Sequence, residues 1–225
     1  VSGPATYAWT FTSGDTVLTS AEANPFVTPT VCGRYDAELK VTVGGKTIST
    51  SKQELFYAAP RDLYVRWDAA SPKFPFASPA DATSDPKAAV EAAIDGAMVH
   101  VSGTNTVTAM ISISRAITLK GETGRDADWI KQTGGERVIY LNNAQAVVRG
   151  LTLAGGYLPS QYDHGAGIRI ASNGGTVEDC TIRDCKLAHY GYGVGFEIAS
   201  GAANAVVRRC IIRSHKGVSG TYGGG

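Results

Sequence analysis

Charge of one sign, long apolar runs and paired cysteines are all scarce in this chain. Its 225 residues carry 21 basic and 20 acidic side chains, for a formal charge of +1, and no stretch concentrates either sign. That removes the electrostatic footprint of a protein that grips DNA, RNA or an anionic lipid surface, so nucleic acid is not an expected partner. Gly, Ser, Thr or a charge interrupts every apolar run within a few residues, and none approaches the roughly 18 apolar residues of a membrane-spanning helix. The chain opens Val1-Ser2-Gly3-Pro4-Ala5, without a basic start or an apolar leader core, so localisation has to be argued from architecture. Cys32, Cys180, Cys185 and Cys210 form no C-x-x-C pair and have no His at zinc-finger distances. No metal-ligand set and no cofactor is implied. What is plentiful is Thr, Ser, Val, Ala and 27 glycines, the composition of a strand-rich protein with many turns.

Residues 7 to 57 alternate apolar and polar in short runs. Examples are Tyr7-Ala8-Trp9-Thr10-Phe11, Glu38-Leu39-Lys40-Val41-Thr42-Val43 and Thr47-Ile48-Ser49-Thr50, with Ser13-Gly14-Asp15, Asn24-Pro25 and Gly44-Gly45 between them. This period of two predicts half-buried antiparallel strands. The Trp9 strand, the Glu22-Ala23-Asn24-Pro25 turn and the segment Gly33-Arg34-Tyr35-Asp36-Ala37-Glu38-Leu39-Lys40-Val41 resemble PKD-type immunoglobulin-like domains of bacterial surface proteins and secreted polysaccharide enzymes. The resemblance covers about a quarter of the chain and implies a β-sandwich over residues 1–58. Such domains place two strands ahead of the Trp strand, and six residues precede Tyr7; the sandwich is therefore expected to be partial.

Residues 59–84 hold Pro60, Pro72, Pro75 and Pro79 among Ala, Ser and Asp, as suits an irregular connector, with one short strand at Asp62-Leu63-Tyr64-Val65. Asp85 is placed to cap a helix that starts at Pro86 and runs to Asp95, with Ala89, Val90, Ala93 and Ile94 on one face and Gly96 ending it.

From about residue 98 the sequence repeats. Ile111, Ile139, Ile168 and Phe196 follow at 28, 29 and 28 residues, and Ile113, Leu141, Ile170 and Ile198 keep step two positions later. Val148, Val177 and Val207 form a further column, as do Leu151, Cys180 and Cys210, and then Leu153, Ile182 and Ile212. One such unit cannot enclose a core, but stacked units can. Glycines recur at Gly165, Gly193 and Gly223 and at Gly167, Gly195 and Gly225, as corners that need φ > 0 or close backbone approach. These columns, with Ser114-Arg115-Ala116-Ile117-Thr118-Leu119-Lys120-Gly121 and Val148-Arg149-Gly150-Leu151-Thr152-Leu153, resemble the pectate-lyase-like right-handed parallel β-helix repeats of large bacterial surface proteins. The resemblance implies an all-β fold over residues 85–225, with the helix lying across the N-terminal end to cover unpaired strand edges. It implies an extracellular or cell-surface setting and leaves function open, because enzymes and non-enzymes share the scaffold.

A β-helix lyase would need clustered carboxylates for Ca²⁺ beside an Arg or Lys base, and a hydrolase paired acids on adjacent turns. The acids here fall in different columns, Asp163 in a loop, Glu178 aligned with Arg149 and Arg208, and Asp179 aligned with Gly150 and Arg209. The Arg-Glu-Arg column reads as an outward charge match between turns, and no catalytic residue is assigned. Aromatics gather at the corners: Tyr162 aligns with Tyr190, and His164 with Tyr192 and Tyr222. With Tyr157 and His189, these rings would offer a sugar chain a stacking platform and directed hydrogen bonds; the plainer and favoured reading of the same rings is a ladder that stiffens the solenoid. Gly155 to Gln161 is the largest excursion between turns and the expected groove wall.

Cys180 and Cys210 share an inward column, where parallel side chains suit stacked thiols better than the torsion of a disulfide. Nothing in the sequence brings Cys32 and Cys185 together. The expected function is a structural or adhesive surface protein that displays loops on a rigid solenoid. The alternatives are a carbohydrate-binding part of a polysaccharide-degrading protein, or a polysaccharide lyase or glycoside hydrolase whose active site lies on later turns. The expected partner is a polysaccharide or cell-surface glycan. Both modules appear cut short, the solenoid at Tyr222-Gly223-Gly224-Gly225, which predicts that the polypeptide continues or that further copies complete the strands and build a fibre.

Overall fold

The computed structural model describes residues 3–160 and 163–217. The chain divides into two compact units, residues 1–60 and 61–225. In the first, β1 (Thr6–Ser13), β2 (Thr16–Ser20), β3 (Gly33–Val43) and β4 (Lys46–Ala58) form one antiparallel sheet in the order β2-β1-β3-β4. Trp9 pairs with Ser20 on one side and Leu39 on the other, as alternation predicted. The two packed sheets expected of a sandwich are not what the described residues form. β1 is hydrogen-bonded on both edges and β3 joins β4, so all four strands are absorbed by one ladder. Its core is small: Phe11, Tyr35 and Ala37 are buried, with Trp9, Leu18 and Phe56 against them. The Tyr35 and Phe56 rings stack at 4.9 Å, and the Tyr35 hydroxyl donates to the Val31 carbonyl at 3.1 Å.

The second unit is a parallel β-solenoid. Its chain runs β5 (Asp62–Arg66), α1 (Pro86–Ala92), β6 (Met98–Ser102), β7 (Thr104–Val107) and β8 (Ile111–Ile113). The next coil is β9 (Thr118–Gly121), β10 (Trp129–Gln132) and β11 (Ile139–Leu141). A third follows as β12 (Val147–Arg149), β13 (Thr152–Ala154), β14 (Tyr157–Leu158) and β15 (Ile168–Ile170), and a fourth as β16 (Gly175–Glu178), β17 (Thr181–Arg183), β18 (Lys186–Leu187) and β19 (Phe196–Ile198). β20 (Ala205–Arg208) and β21 (Ile211–Arg213) begin a fifth. Stacking the coils builds three parallel sheets, β5-β6-β9-β12-β16-β20, β7-β10-β13-β17-β21 and β8-β11-β15-β19. Neighbouring coils lie about 4.8 Å apart.

The register is the one the repeat predicts. Ile139 pairs with Ile111 and Ile168, and Ile168 with Phe196; Val148 pairs with Val177, and Val177 with Val207. One continuous core results, with Ile139, Leu141, Val148, Leu151, Leu153, Ile168, Ile170, Cys180 and Ile182 all inaccessible to solvent. Burying each such side chain contributes roughly 1.5–3 kcal/mol. In the last described coil the same columns are more open, and Ile198 is 47% exposed.

Between the first and second sheets the corner of the last three coils is two residues, the first in left-handed conformation: Gly150 at φ 65°, Asp179 at 54° and Arg209 at 54°; between β9 and β10 the connection is residues 122–128. At Gly167 it is space that matters, because a side chain there would run into the Gly195 carbonyl and Ile182. The excursion expected to be a loop is partly strand. Tyr157 and Leu158 pair with Lys186 and Leu187, because both leucines turn inward and are buried.

Asp85 caps α1 by accepting from the Lys87 amide at 2.9 Å, with Pro86 at the first position. The helix ends earlier than Asp95, because Ala93 is already extended (φ −70°, ψ 148°); Ile94 therefore leaves the buried face and is 46% exposed. Arg115 ties off the end by donating to the carbonyls of Glu91 and Ala93 at 3.0 and 2.7 Å. α1 packs on β5, β7 and β8, the first strand of each sheet, and so covers that end of the solenoid. β5, placed in the connector by its proline-rich surroundings, is the first strand of the six-stranded sheet.

Candidate functional site

The corners that lead into β15 and β19 carry the aromatic candidates. His164 and Tyr192 occupy equivalent positions in successive coils and form a parallel bridge. Their rings lie 5.3 Å apart at 36°, and the Tyr192 amide donates to His164 Nδ1 at 3.0 Å, which places the proton of a neutral His164 on Nε2. Tyr190 and Tyr192 are 53% and 56% exposed, and His189 is exposed beside them. Tyr157 is half-buried on β14, away from that pair in the chain, and the Lys186 ammonium lies 5.3 Å over its ring, an attraction of about 0.5–1 kcal/mol at such a site. Tyr162 and Tyr222 lie outside the described residues.

Arg137, which alternation and spacing did not single out, holds this corner from the preceding coil. Its Nε donates to the Gly165 carbonyl at 2.8 Å and its Nη2 to that of His164 at 2.6 Å. Burial lowers its pKa, and the neighbouring Arg169 adds to that, yet a guanidinium stays charged. Tyr140, 6.0 Å from the Arg137 guanidinium, and the Arg169–Glu197 ion pair at 2.8 Å continue the outer face of the β8-β11-β15-β19 sheet. The signal for Arg137 was its position two residues before the inward Ile139, where later coils place small or apolar residues.

The acids elsewhere are engaged with bases. Glu178 pairs with Arg149 and Arg208 in register, as the aligned column predicts, and is only 7% exposed because Arg208 and Arg209 lie over it, at 2.5 and 3.4 Å. Asp179 receives both Arg209 Nε and Nη2, at 2.6 and 2.8 Å, which holds its carboxyl below the usual range. A second cluster escaped the sequence reading. His100 Nε2 lies 2.8 Å from Asp62 and Nδ1 2.7 Å from Glu122, with the Tyr64 ring stacked on the imidazole at 4.9 Å. Burial alone would raise Glu122, but hydrogen bonds from His100 and Lys120 outweigh it and lower its pKa. These contacts tie β5 and β6 to the residue that follows β9, at one end of the six-stranded sheet. Among the described residues no three His, Cys, Asp or Glu side chains gather as a metal-binding group.

The four cysteines are unpaired. Burial pushes the Cys180 and Cys185 thiols up to about 12, so neither is a nucleophile near neutral pH.

Three parallel sheets wound in register and a helix over the first strands define a β-solenoid. A family model described as right handed beta helix region matches residues 95–225, more than half of the chain, and the chain belongs to that family. Comparison with curated proteins and with solved structures gives no match. Membership fits a surface or enzyme-related protein in general terms.

Proposed function

We propose that the solenoid is a rigid display scaffold which holds a glycan at its aromatic corner without cleaving it, working at a cell surface or in the extracellular medium. The observation that carries this reading is the exposed ring surface of Tyr190 and Tyr192, set beside a His164 fixed in one tautomer by the backbone. Aromatic faces stack on the apolar faces of sugar rings, and fixed donors orient their hydroxyls. A corner braced by Arg137 from the coil before it loses little freedom on binding, which favours affinity.

Titration calorimetry against a panel of neutral and acidic oligosaccharides tests the reading, with product chromatography run on the same mixtures. Binding with intact oligosaccharide is expected, weakened by about 1–3 kcal/mol in Tyr190→Ala or Tyr192→Ala, the scale of an aromatic stacking contact. Shortened products, or binding indifferent to both substitutions, would overturn it.

A further inference from the structure

At the opposite end of the β8-β11-β15-β19 strands, where the chain leaves that sheet, successive coils line an open groove of ≈ 490 Å³. No charged side chain contributes to it. Ser114 comes from one coil, Asn142, Asn143 and Gln145 from the next, Asn173 from the third and Asn204 from the fourth. The groove is thus polar, uncharged and extended along the solenoid axis. We propose that it is a binding site for a linear neutral oligosaccharide, distinct from the aromatic corner.

Three features converge on that ligand class. A side-chain amide carries both donors and an acceptor, which matches hydroxyl groups that do the same, whereas a groove without cations offers nothing to a uronate, sulfate or phosphate. Two of the amides are fixed from behind. Asn143 donates to the Ser114 carbonyl at 3.1 Å and accepts from the Gln145 amide at 2.9 Å, while Asn142 accepts from the Asn173 amide at 3.1 Å, which leaves the Asn142 NH₂ group available. Gln145, Asn173 and Asn204 are exposed, and among the described residues their side chains have no hydrogen-bond partner. Finally, a fresh polar group arrives with every coil, about 4.8 Å further along, a step close to the repeat of a chain of pyranose rings. The volume lies within the range of ligand sites, roughly 300–1,000 Å³, and the open sides suit a chain rather than a compact molecule. Binding here does not depend on the aromatic corner. The two surfaces are separated by three-residue strands, about 10 Å of backbone.

The test uses the full chain with cellohexaose, cellobiose and oligogalacturonate as probes in calorimetry. Cellohexaose is expected to bind more tightly than cellobiose, and oligogalacturonate not to compete. In the triple variant Gln145→Ala, Asn173→Ala, Asn204→Ala affinity should fall about tenfold or more, since each lost hydrogen bond is worth a few-fold. All three side chains are exposed, so the melting temperature should not move. No binding of cellohexaose, unchanged binding in the triple variant, or preference for the acidic probe would each overturn the assignment.

Discussion

Ile170 and Ile198 stand in the same inward column, paired residue to residue across adjacent coils, yet Ile170 is fully buried and Ile198 is 47% exposed. Truncating each to alanine removes the same three carbons from opposite extremes of packing. At Ile170 the transfer loss is about 0.8 kcal/mol per carbon, or about 2.4 kcal/mol. Surrounding coils cannot collapse without breaking register, so a cavity term adds to it and the total falls in the range of about 2–5 kcal/mol. At Ile198 roughly half the transfer term applies and no closed cavity forms, so about 1 kcal/mol is expected. For a domain of this size 1 kcal/mol moves the melting midpoint by about 2–4 °C. Thermal and urea unfolding followed by circular dichroism should therefore separate the two variants clearly, with Ile170→Ala the weaker. Equal losses, or an Ile170→Ala protein within about 0.5 kcal/mol of the parent, would refute the inward ladder. Ile168→Asp and Ile182→Asp should not fold, because an unpaired buried charge costs several kcal/mol against a total near 5–15 kcal/mol.

Thiol titration under native conditions should label Cys32, the exposed cysteine, and spare Cys180 and Cys185 until the protein unfolds. Because those two are pushed up to about 12 from 9.0, stability is unaffected below pH 9 and should fall above it by about 1.4 kcal/mol per pH unit for each thiol; a flat alkaline profile would contradict their burial. His215 is lowered by burial, and its Nδ1 accepts from the Cys185 amide at 3.2 Å. The stability it confers is present above its ordinary value of 6.5 and lost as pH falls below it, so His215→Gln should flatten the acid limb of a pH–stability curve. Ser214 holds φ 61°, and Ser214→Gly should stabilise by up to about 1 kcal/mol in urea unfolding.

The hydrophobic ladders were legible because β-branched residues at near-constant intervals record coil-to-coil register directly, as the Ile111, Ile139, Ile168 column shows. Corners were less so. Gly165 and Gly193 announce their positive φ, but Asp179 and Arg209 adopt the same conformation under the constraint of neighbouring coils, with no local signal. Leu158 fell in the excursion read as a loop because a two-residue strand is too short to show a period. Alternation in the first unit identified strands but not the number of sheets, since pairing partners rather than period decide that. In the candidate site, the aligned His164 and Tyr192 could be found by counting. Arg137 acts on the next coil through backbone carbonyls, which any residue type presents, so only its departure from the small or apolar residues at that position of later coils marks it. The amides of the groove arise at corners of unequal length, where column counting loses its frame.

The short corner at Gly150, Asp179 and Arg209 has a consequence for how this architecture changes over evolution or by engineering. A single residue inserted there would rotate the following strand by one position and turn its core side chains outward, so this corner grows only by a whole excursion such as residues 122–128, which join β9 to β10. The long corners between β14 and β15 and between β18 and β19 carry no such penalty, because their ends are already pinned by strands on both sides. Lineages of this scaffold should therefore differ in length at the long corners more than at the short ones.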